Sequence, residues 1–435
     1  MLLMLYVYPA HTPGVNKRNG LHLPYPDSDG SAIIVKIHLR GGGILPYYSL
    51  NSEDHSPLRK KRITLVITQM ILAFHMGFGL AVLAAGQTSS SLRMDWDRAS
   101  LQLIQKDGVY GRIIRLRDNS LLCGFELRGQ CWTRRSTDNG KTWVQEVMAA
   151  SFEAGNAANP ELLELKSGKV ILYFNERPRD GMHPFTIRCS TSDDGGRTWK
   201  LQPVIFTAGT SPSEGCWEPA AIQLPGGEIQ LYFADESPYS NSEEQQISMM
   251  RSQDGGVHYS SARAISFRKG GRDGMPVPLI LQGKAGIALA IEDNGTVLHQ
   301  LQPAIIKTSL QDNWKQECAD ETSSRRRWAI TPQLSGIVYA GAPYLRQLSS
   351  GETLLACQMS ERGRTKPQMV VYIGDNNAGN FTSPSAPFAL PPDTGGLWNS
   401  LFIKSGEVVT ALSATTLNGV HGLWAIDGRL VSRGR

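Results

Sequence analysis

From residue 110 onward the chain repeats one pattern: an apolar run, a short turn containing Gly or Asn, and a second apolar run. Six such units can be marked, at 110–126, 159–176, 217–236, 274–292, 341–360 and 397–415. Short apolar runs rich in β-branched and aromatic residues, bounded by turn residues, predict pairs of buried β-strands. Pro160, Pro219, Pro276 and Pro343 open four of the units, at a strand's first position, where a missing N–H is tolerated. A strand pair that recurs along a chain points to a closed repeat architecture.

A second repeat, independent of the first, lies between these units. Ser136-Thr-Asp138-Asn-Gly140-Lys-Thr142-Trp143 is matched by Ser192-Asp-Asp194-Gly-Gly196-Arg-Thr198-Trp199, and more weakly by Ser252-Gln-Asp254-Gly-Gly256-Val-His258-Tyr259. Decayed copies run from Ser309 to Trp314 and from Gly374 to Phe381. In such a run Asp accepts from turn N–H groups, Gly takes a positive φ, and the aromatic packs inward. The motif resembles the Asp-box of sialidase-type β-propellers. The six units spread over residues 87–435 at about 58 residues each, the length of a four-stranded blade. Five box positions against six strand pairs imply that the last blade is split. Residues near 88–105 are expected to supply its outer strand and close the ring. The expectation is an all-β, six-bladed β-propeller.

The leader differs in composition. Residues 1–86 hold eight Lys/Arg and four Asp/Glu, so the formal charge of +5 falls to +1 for residues 87–435 (36 basic against 35 acidic). A nearly neutral fold removes the electrostatic case for nucleic-acid binding. Arg59-Lys60-Lys61-Arg62, then an uncharged stretch from Ile63 to Gly86 ending in small residues, reads as a signal peptide over 59–86, with an uncleaved anchor as the rival. Residues 1–58 show no usable periodicity and read as an extension outside the fold. The product is then expected to be secreted or periplasmic, with membrane contact only if the signal is uncleaved.

In a propeller the innermost strand starts at one mouth of the ring and the second strand returns there, so chemistry is expected at those positions. Strand openings offer Arg112, Asn159, Glu218, Asp273, Tyr344 and Trp398 or Asn399; second-strand ends offer Glu126, Glu176, Glu236 and Glu292. Arg112, Arg128, Arg177 and Arg272 lie nearby, and Trp217, Tyr239 and Tyr344 are candidate platforms for a sugar ring. Acids gathered on one rim fit carbohydrate hydrolysis, which uses one carboxyl as proton donor and another as nucleophile or base.

Cys216-Trp217-Glu218-Pro219, Asp235-Glu236-Ser-Pro-Tyr239 with Glu244-Gln245, Arg272-Asp-Gly-Met-Pro276, Ala290-Ile-Glu292 and Gly341-Ala-Pro-Tyr344-Leu-Arg346 are similar to motifs of the exo-arabinanases of the sialidase superfamily. The resemblance covers residues 100–420. It implies release of terminal arabinofuranosyl units by two rim glutamates, here Glu218 as acid/base and Glu292 as nucleophile, with the opposite allocation open. Arg112, Glu126, Asn159, Glu176, Arg177, Trp217, Glu236, Tyr239, Arg272, Asp273, Tyr344 and Trp398 are the expected substrate contacts. Two departures separate the chain from true sialidases. No Asp follows Glu126-Leu-Arg128 before the first Asp-box, and Trp398 stands where the sialidase tyrosine opens the sixth inner strand. An indole N–H only donates, so Trp398 cannot attack an anomeric carbon. An exo-α-sialidase and a non-catalytic carbohydrate-binding propeller are the alternatives.

The nine histidines form no ligand spacing, and neither a metal nor a cofactor is expected. Cys123, Cys189 and Cys357 are expected in strands; Cys131, Cys216 and Cys318 on loops, where a disulfide is conceivable. Arg325-Arg326-Arg327 reads as a solvated loop.

Overall fold

The computed structural model describes residues 92–432, apart from 284–285 and 361–362, together with the backbone of three short strands nearer the start. Those three, Leu5–Tyr8, Ala32–Ile37 and Leu50–Asn51, pair antiparallel in chain order within a separate unit, Met1–Thr88. The segment 59–86, read as an export signal, lies outside the described residues. No helix among the described residues is long and apolar enough to cross a membrane.

Residues 92–432 form six antiparallel sheets, each built outward from one inner strand. The inner strands are Val109–Arg115, Gly155–Glu164, Cys216–Gln223, Asp273–Ile280, Ala340–Gln347 and Gly396–Ser405. Each packs against the inner strand of the next sheet, and the sixth meets the first. Blade 6 is split as expected: Leu92–Lys106 is its outer strand, paired along Val420–Ser432 from Leu92↔Ser432 to Lys106↔Gly422. The two ends of the propeller are thereby held in one sheet, which leaves no unpaired edge between first and last blades.

Second strands such as Ile229–Asp235 and Thr353–Met359 are buried at every position. Covered by a neighbouring blade on each face, they read as unbroken apolar runs instead of alternating ones. The box turns explain their sequence atom by atom. Asp194 accepts from Thr198 N at 3.0 Å, Thr198 Oγ1 at 2.6 Å and Ser192 Oγ at 2.7 Å, while Gly196 N donates to Ser192 Oγ at 2.8 Å. Burial is the largest single effect and raises the Asp194 carboxyl, but these donors together outweigh it and hold it down at about 2. Asp138 and Asp254 repeat the arrangement. A side chain at Gly196 would strike Leu122, and one at Gly256 would strike Ile171, each on the preceding blade. Trp314 and Phe381 close the decayed turns and are fully buried.

All six cysteines are free. Cys131 and Cys216, expected on loops, lie buried at strand starts; Cys318 alone is on a loop. The Arg325-Arg326-Arg327 reading is corrected as well. Arg326 is buried and clasps Asp273, with Nη1 on Oδ2 at 2.7 Å, and Asp293, which Arg268 also holds at 2.9 Å.

Candidate active site

Every inner hairpin carries a β-bulge near its start, with two inner-strand residues opposite one on the second strand. The first bulged residue is left-handed in all six blades: Tyr110 (φ 54°), Asn159 (52°), Glu218 (48°), Met275 (47°), Ala342 (48°) and Trp398 (52°). None is glycine, so each conformation costs about 1–3 kcal/mol, and it recurs at one level of the ring in all six blades. The four prolines singled out in the sequence are the second bulged residues, where no ladder N–H is required.

This register corrects the expected strand openings. Asn159, Glu218 and Trp398 occupy the bulge. Arg112 and Tyr344 fall two residues deeper, and Asp273 two residues higher. The residues that belong at this level in blades 1, 4 and 5 are Tyr110, Met275 and Ala342, none of which the sequence reading offered as a site residue. Tyr110, Met275 and Ala342 cluster with Val109 and Trp398, closing the funnel with a floor drawn from four blades. The Trp398 ring lies 6.0 Å from that of Tyr110, and its backbone N–H donates to Gln358 Oε1 at 3.1 Å. Asn399 is buried and turned to the Gly396 carbonyl.

Beneath the floor lies a buried column. The Arg112 guanidinium sits 3.9 Å from the Tyr110 ring and 4.7 Å from that of Tyr344, and Arg346 lies 4.3 Å from the Tyr344 ring. Arg112 Nε donates to Glu161 at 3.2 Å. Its charge is thus spent inside the protein, and neither Arg112 nor Tyr344 opens to the funnel.

The second-strand acids separate in the same way. Glu126 pairs with Val109, and Glu292 with Gly274, the same step of the ladder in two blades. Asn175 and Gln358 hold that step in blades 2 and 5. Glu176 is one residue further on and therefore on the opposite face; it accepts from Thr186 Oγ1 at 2.7 Å and Arg188 Nη1 at 3.0 Å, away from the funnel. Glu236 is two residues beyond that step, back on the funnel side, and is held by Gln245 Nε2 at 2.8 Å and by Arg272. Two further expected contacts are structural. Asp273 is fully buried against Ser266 and Arg326. Tyr239 stacks on Phe267 at 4.9 Å and 6° and donates its hydroxyl to Gln246 at 2.6 Å.

What remains together is compact. Glu218 is half-buried, and its carboxylate accepts from the Met275 backbone N–H. Burial first, then the nearby Glu292 charge, push its carboxyl up to about 7, with Arg177 opposing and Glu236 adding. Burial also raises Glu292, but Ala342 N donates to its Oε2 at 2.7 Å and Arg272 stands close, both favouring the carboxylate. The Glu292 side chain passes between two glycines. A Cβ at Gly274 would lie 2.9 Å from Oε1, and one at Gly341 would lie 2.8 Å from Oε2 and 2.8 Å from the Tyr339 hydroxyl. Tyr339 accepts from Gln358 Nε2 at 2.6 Å. On the other wall, Arg177 is hydrogen-bonded to Asn159 and sits 5.0 Å over the Trp217 ring, which also packs on Phe185 at 4.9 Å. Burial raises Glu126; Arg177 and the Asn159 N–H, at 3.4 Å, oppose it. Tyr339, Gln358 and Asn175 were not singled out in the sequence, and Gln245 appeared there only within the Glu244-Gln245 motif. Among the described residues no cluster of His, Cys, Asp and Glu is arranged to hold a metal ion.

No family model and no curated protein sequence matches the chain. Solved structures do. The α-L-arabinofuranosidase of Fusarium graminearum with arabinobiose aligns at a TM-score of 0.59 and 17% identity over 74% of this chain and 93% of that one. The Penicillium chrysogenum α-L-arabinanase with arabinobiose gives 0.58 and 17% over 75% and 97%. The NanB sialidase of Streptococcus pneumoniae gives 0.51 and 15% over 75% and 70%. The chain is a six-bladed β-propeller of the sialidase-like fold, structurally similar to exo-arabinanases and to a sialidase at low sequence identity.

Proposed function

We propose that the protein is an exo-acting glycoside hydrolase that releases a neutral terminal sugar, arabinanase-like in mechanism, with Glu218 as general acid/base and Glu292 as nucleophile or base. The observation that carries this reading is the pair of carboxyls in one funnel with unequal environments. Burial and the charges of Glu292 and Glu236 push Glu218 up to about 7, so that it holds its proton near neutral pH, whereas Glu292 is raised by burial alone and is opposed by the Ala342 N–H and Arg272. Two carboxyls with like charges acting on only one of them can take the acid and nucleophile roles at one pH. Glu218 would protonate the leaving oxygen as Glu292 attacks the anomeric carbon or activates water on its other face. A carboxyl separation of ~5–5.5 Å corresponds to retention and ~6.5–9.5 Å to inversion.

The closed floor supports action at a chain end, since a polymer cannot thread the ring. The charges support a neutral sugar. Glu126, Glu218, Glu236 and Glu292 face Arg177 and Arg272, and Arg112 is neutralised by Glu161 below, so the buried arginine is not free for a sugar carboxylate. Two structural neighbours were solved with arabinobiose, which makes arabinofuranosides the first substrates to try. The basic and apolar run at 59–86 supports export to the periplasm or the medium. The test is a screen of aryl glycosides and arabinan, with Glu218→Gln and Glu292→Gln as controls. Each variant is expected to lose sugar release while keeping its circular dichroism spectrum. Full activity in both variants removes the site assignment, and a wild-type protein inert throughout the screen makes it a binding propeller.

A further inference from the structure

Blades 1, 3 and 4 place a basic residue at one equivalent step of the third strand: Arg135 opposite Leu122, Arg251 opposite Gln230, and Lys307 opposite Ala288. In the first two, an acid on the turn joining that blade's two inner strands meets the charge. Arg135 is paired with Asp118, and Arg251 with Glu228. Blade 4 keeps the base and lacks the acid, for residues 281–286 contain no Asp or Glu. Lys307 is half-buried, and among the described residues nothing accepts a hydrogen bond from its ammonium.

A pocket of about 420 Å³ stands where the acid would be. It opens among the hairpin and box turns, at the end of the blades opposite Glu218 and Glu292, so it is separate from the funnel. Lys307 and Arg325 line it together with Ser309, Ser324, Asn377 and Asp312. Arg325 donates to the Glu317 carbonyl and pairs with no carboxylate among the described residues. Asp312 accepts from Gln316 Nε2 at 3.1 Å. The neighbouring Asp375 spends its carboxylate on its own turn, accepting from Asn377 N at 2.9 Å, Gly379 N at 3.0 Å and Asn380 Nδ2 at 2.7 Å. Lys307 and Arg325 thus face the cavity beside one lining carboxylate, Asp312, while Asp375 acts on Lys307 from the neighbouring turn, its oxygens held by that turn's own donors. Burial lowers the pKa of Lys307, and the Asp375 charge offsets this only in part.

We infer that this pocket binds a sugar-sized molecule bearing one oxyanion group, with Lys307 and Arg325 taking the anion in the place that turn acids hold in blades 1 and 3. The volume exceeds that of a bare ion and lies within the usual range for small-molecule sites. Phosphate, sulfate and a sugar carboxylate share the required chemistry. The site does not depend on the hydrolase reading, because its ligand is read by binding and not by turnover.

The experiment follows thermal unfolding and isothermal titration of the full chain with sodium phosphate, sodium sulfate and sodium glucuronate. Sodium chloride at equal ionic strength and neutral glucose serve as controls. At ten times the dissociation constant the midpoint should rise by about 2 °C over the chloride control. Response to phosphate and sulfate alone assigns a tetrahedral ligand; response to glucuronate as well assigns an acidic sugar. Lys307→Met and Arg325→Gln should each lose the response while still unfolding cooperatively. Gly286→Glu supplies an acid at the register position that Glu228 holds in blade 3, and should abolish the response from within. No shift with any of the three anions overturns the inference, as does a shift retained in both Lys307→Met and Arg325→Gln.

Discussion

Replacing Glu218 by Gln should make the protein more stable, but only at higher pH. The carboxyl is raised from an ordinary 4.5 to about 7, mainly by burial and then by the charge of Glu292. An acid whose folded value is raised binds its proton more tightly folded than unfolded. Below about 4.5 both states are protonated and the group contributes no penalty. Between 4.5 and 7 the unfolded chain releases its proton first, so stability falls as pH rises; above 7 the penalty is complete. A displacement from 4.5 to about 7 corresponds to about 3 kcal/mol. Gln keeps an oxygen to accept from the Met275 N–H and carries no charge near Glu292. Thermal unfolding of wild type and Glu218→Gln at pH 4.5, 6 and 8 tests this. The variant should match wild type at pH 4.5 and exceed it by about 5 °C at pH 8. A difference that is constant with pH, or a variant less stable at pH 8, would refute the reasoning that burial and a like charge hold that proton. Greater stability at the expense of turnover is the expected behaviour of a group kept for chemistry.

Gly341→Ala should reduce turnover by about 10- to 100-fold at a stability cost of about 1.5–3 kcal/mol, leaving the fold intact. The new Cβ would displace Glu292 from the Ala342 N–H, a charge-assisted bond worth about 1.5–3 kcal/mol, and steady-state kinetics beside a melting curve would show both effects. Arg326→Met should cost about 3–5 kcal/mol in urea unfolding, since Asp273 and Asp293 would lose their shared partner in the core; an unchanged midpoint would contradict the buried clasp. Tyr239→Phe should leave kcat/KM unchanged, because its ring and hydroxyl are engaged by Phe267 and Gln246; a large rise in KM would return it to the substrate.

The sequence by itself determined the architecture. Apolar strand pairs and Asp-box turns are local patterns repeated in register, so blade number, the box hydrogen bonds and even the closing strand near residue 92 were legible without coordinates. Glu126, Asn159, Arg177, Glu218, Glu236, Arg272, Glu292 and Trp398, expected at one mouth of the ring, do lie together on its funnel side. Tertiary structure decided which residues share a level and a face. A strand reverses its side chains at every step, and each bulge adds one residue, so an error of one position turns Glu176 out of the funnel. An error of two sinks Arg112 and Tyr344 below its floor and lifts Asp273 away from it. Floor residues such as Met275 and Ala342, and the two glycines beside Glu292, carry no chemical signature of their own. Their role comes from six strands converging on one axis, a contact between residues hundreds of positions apart that no local pattern encodes.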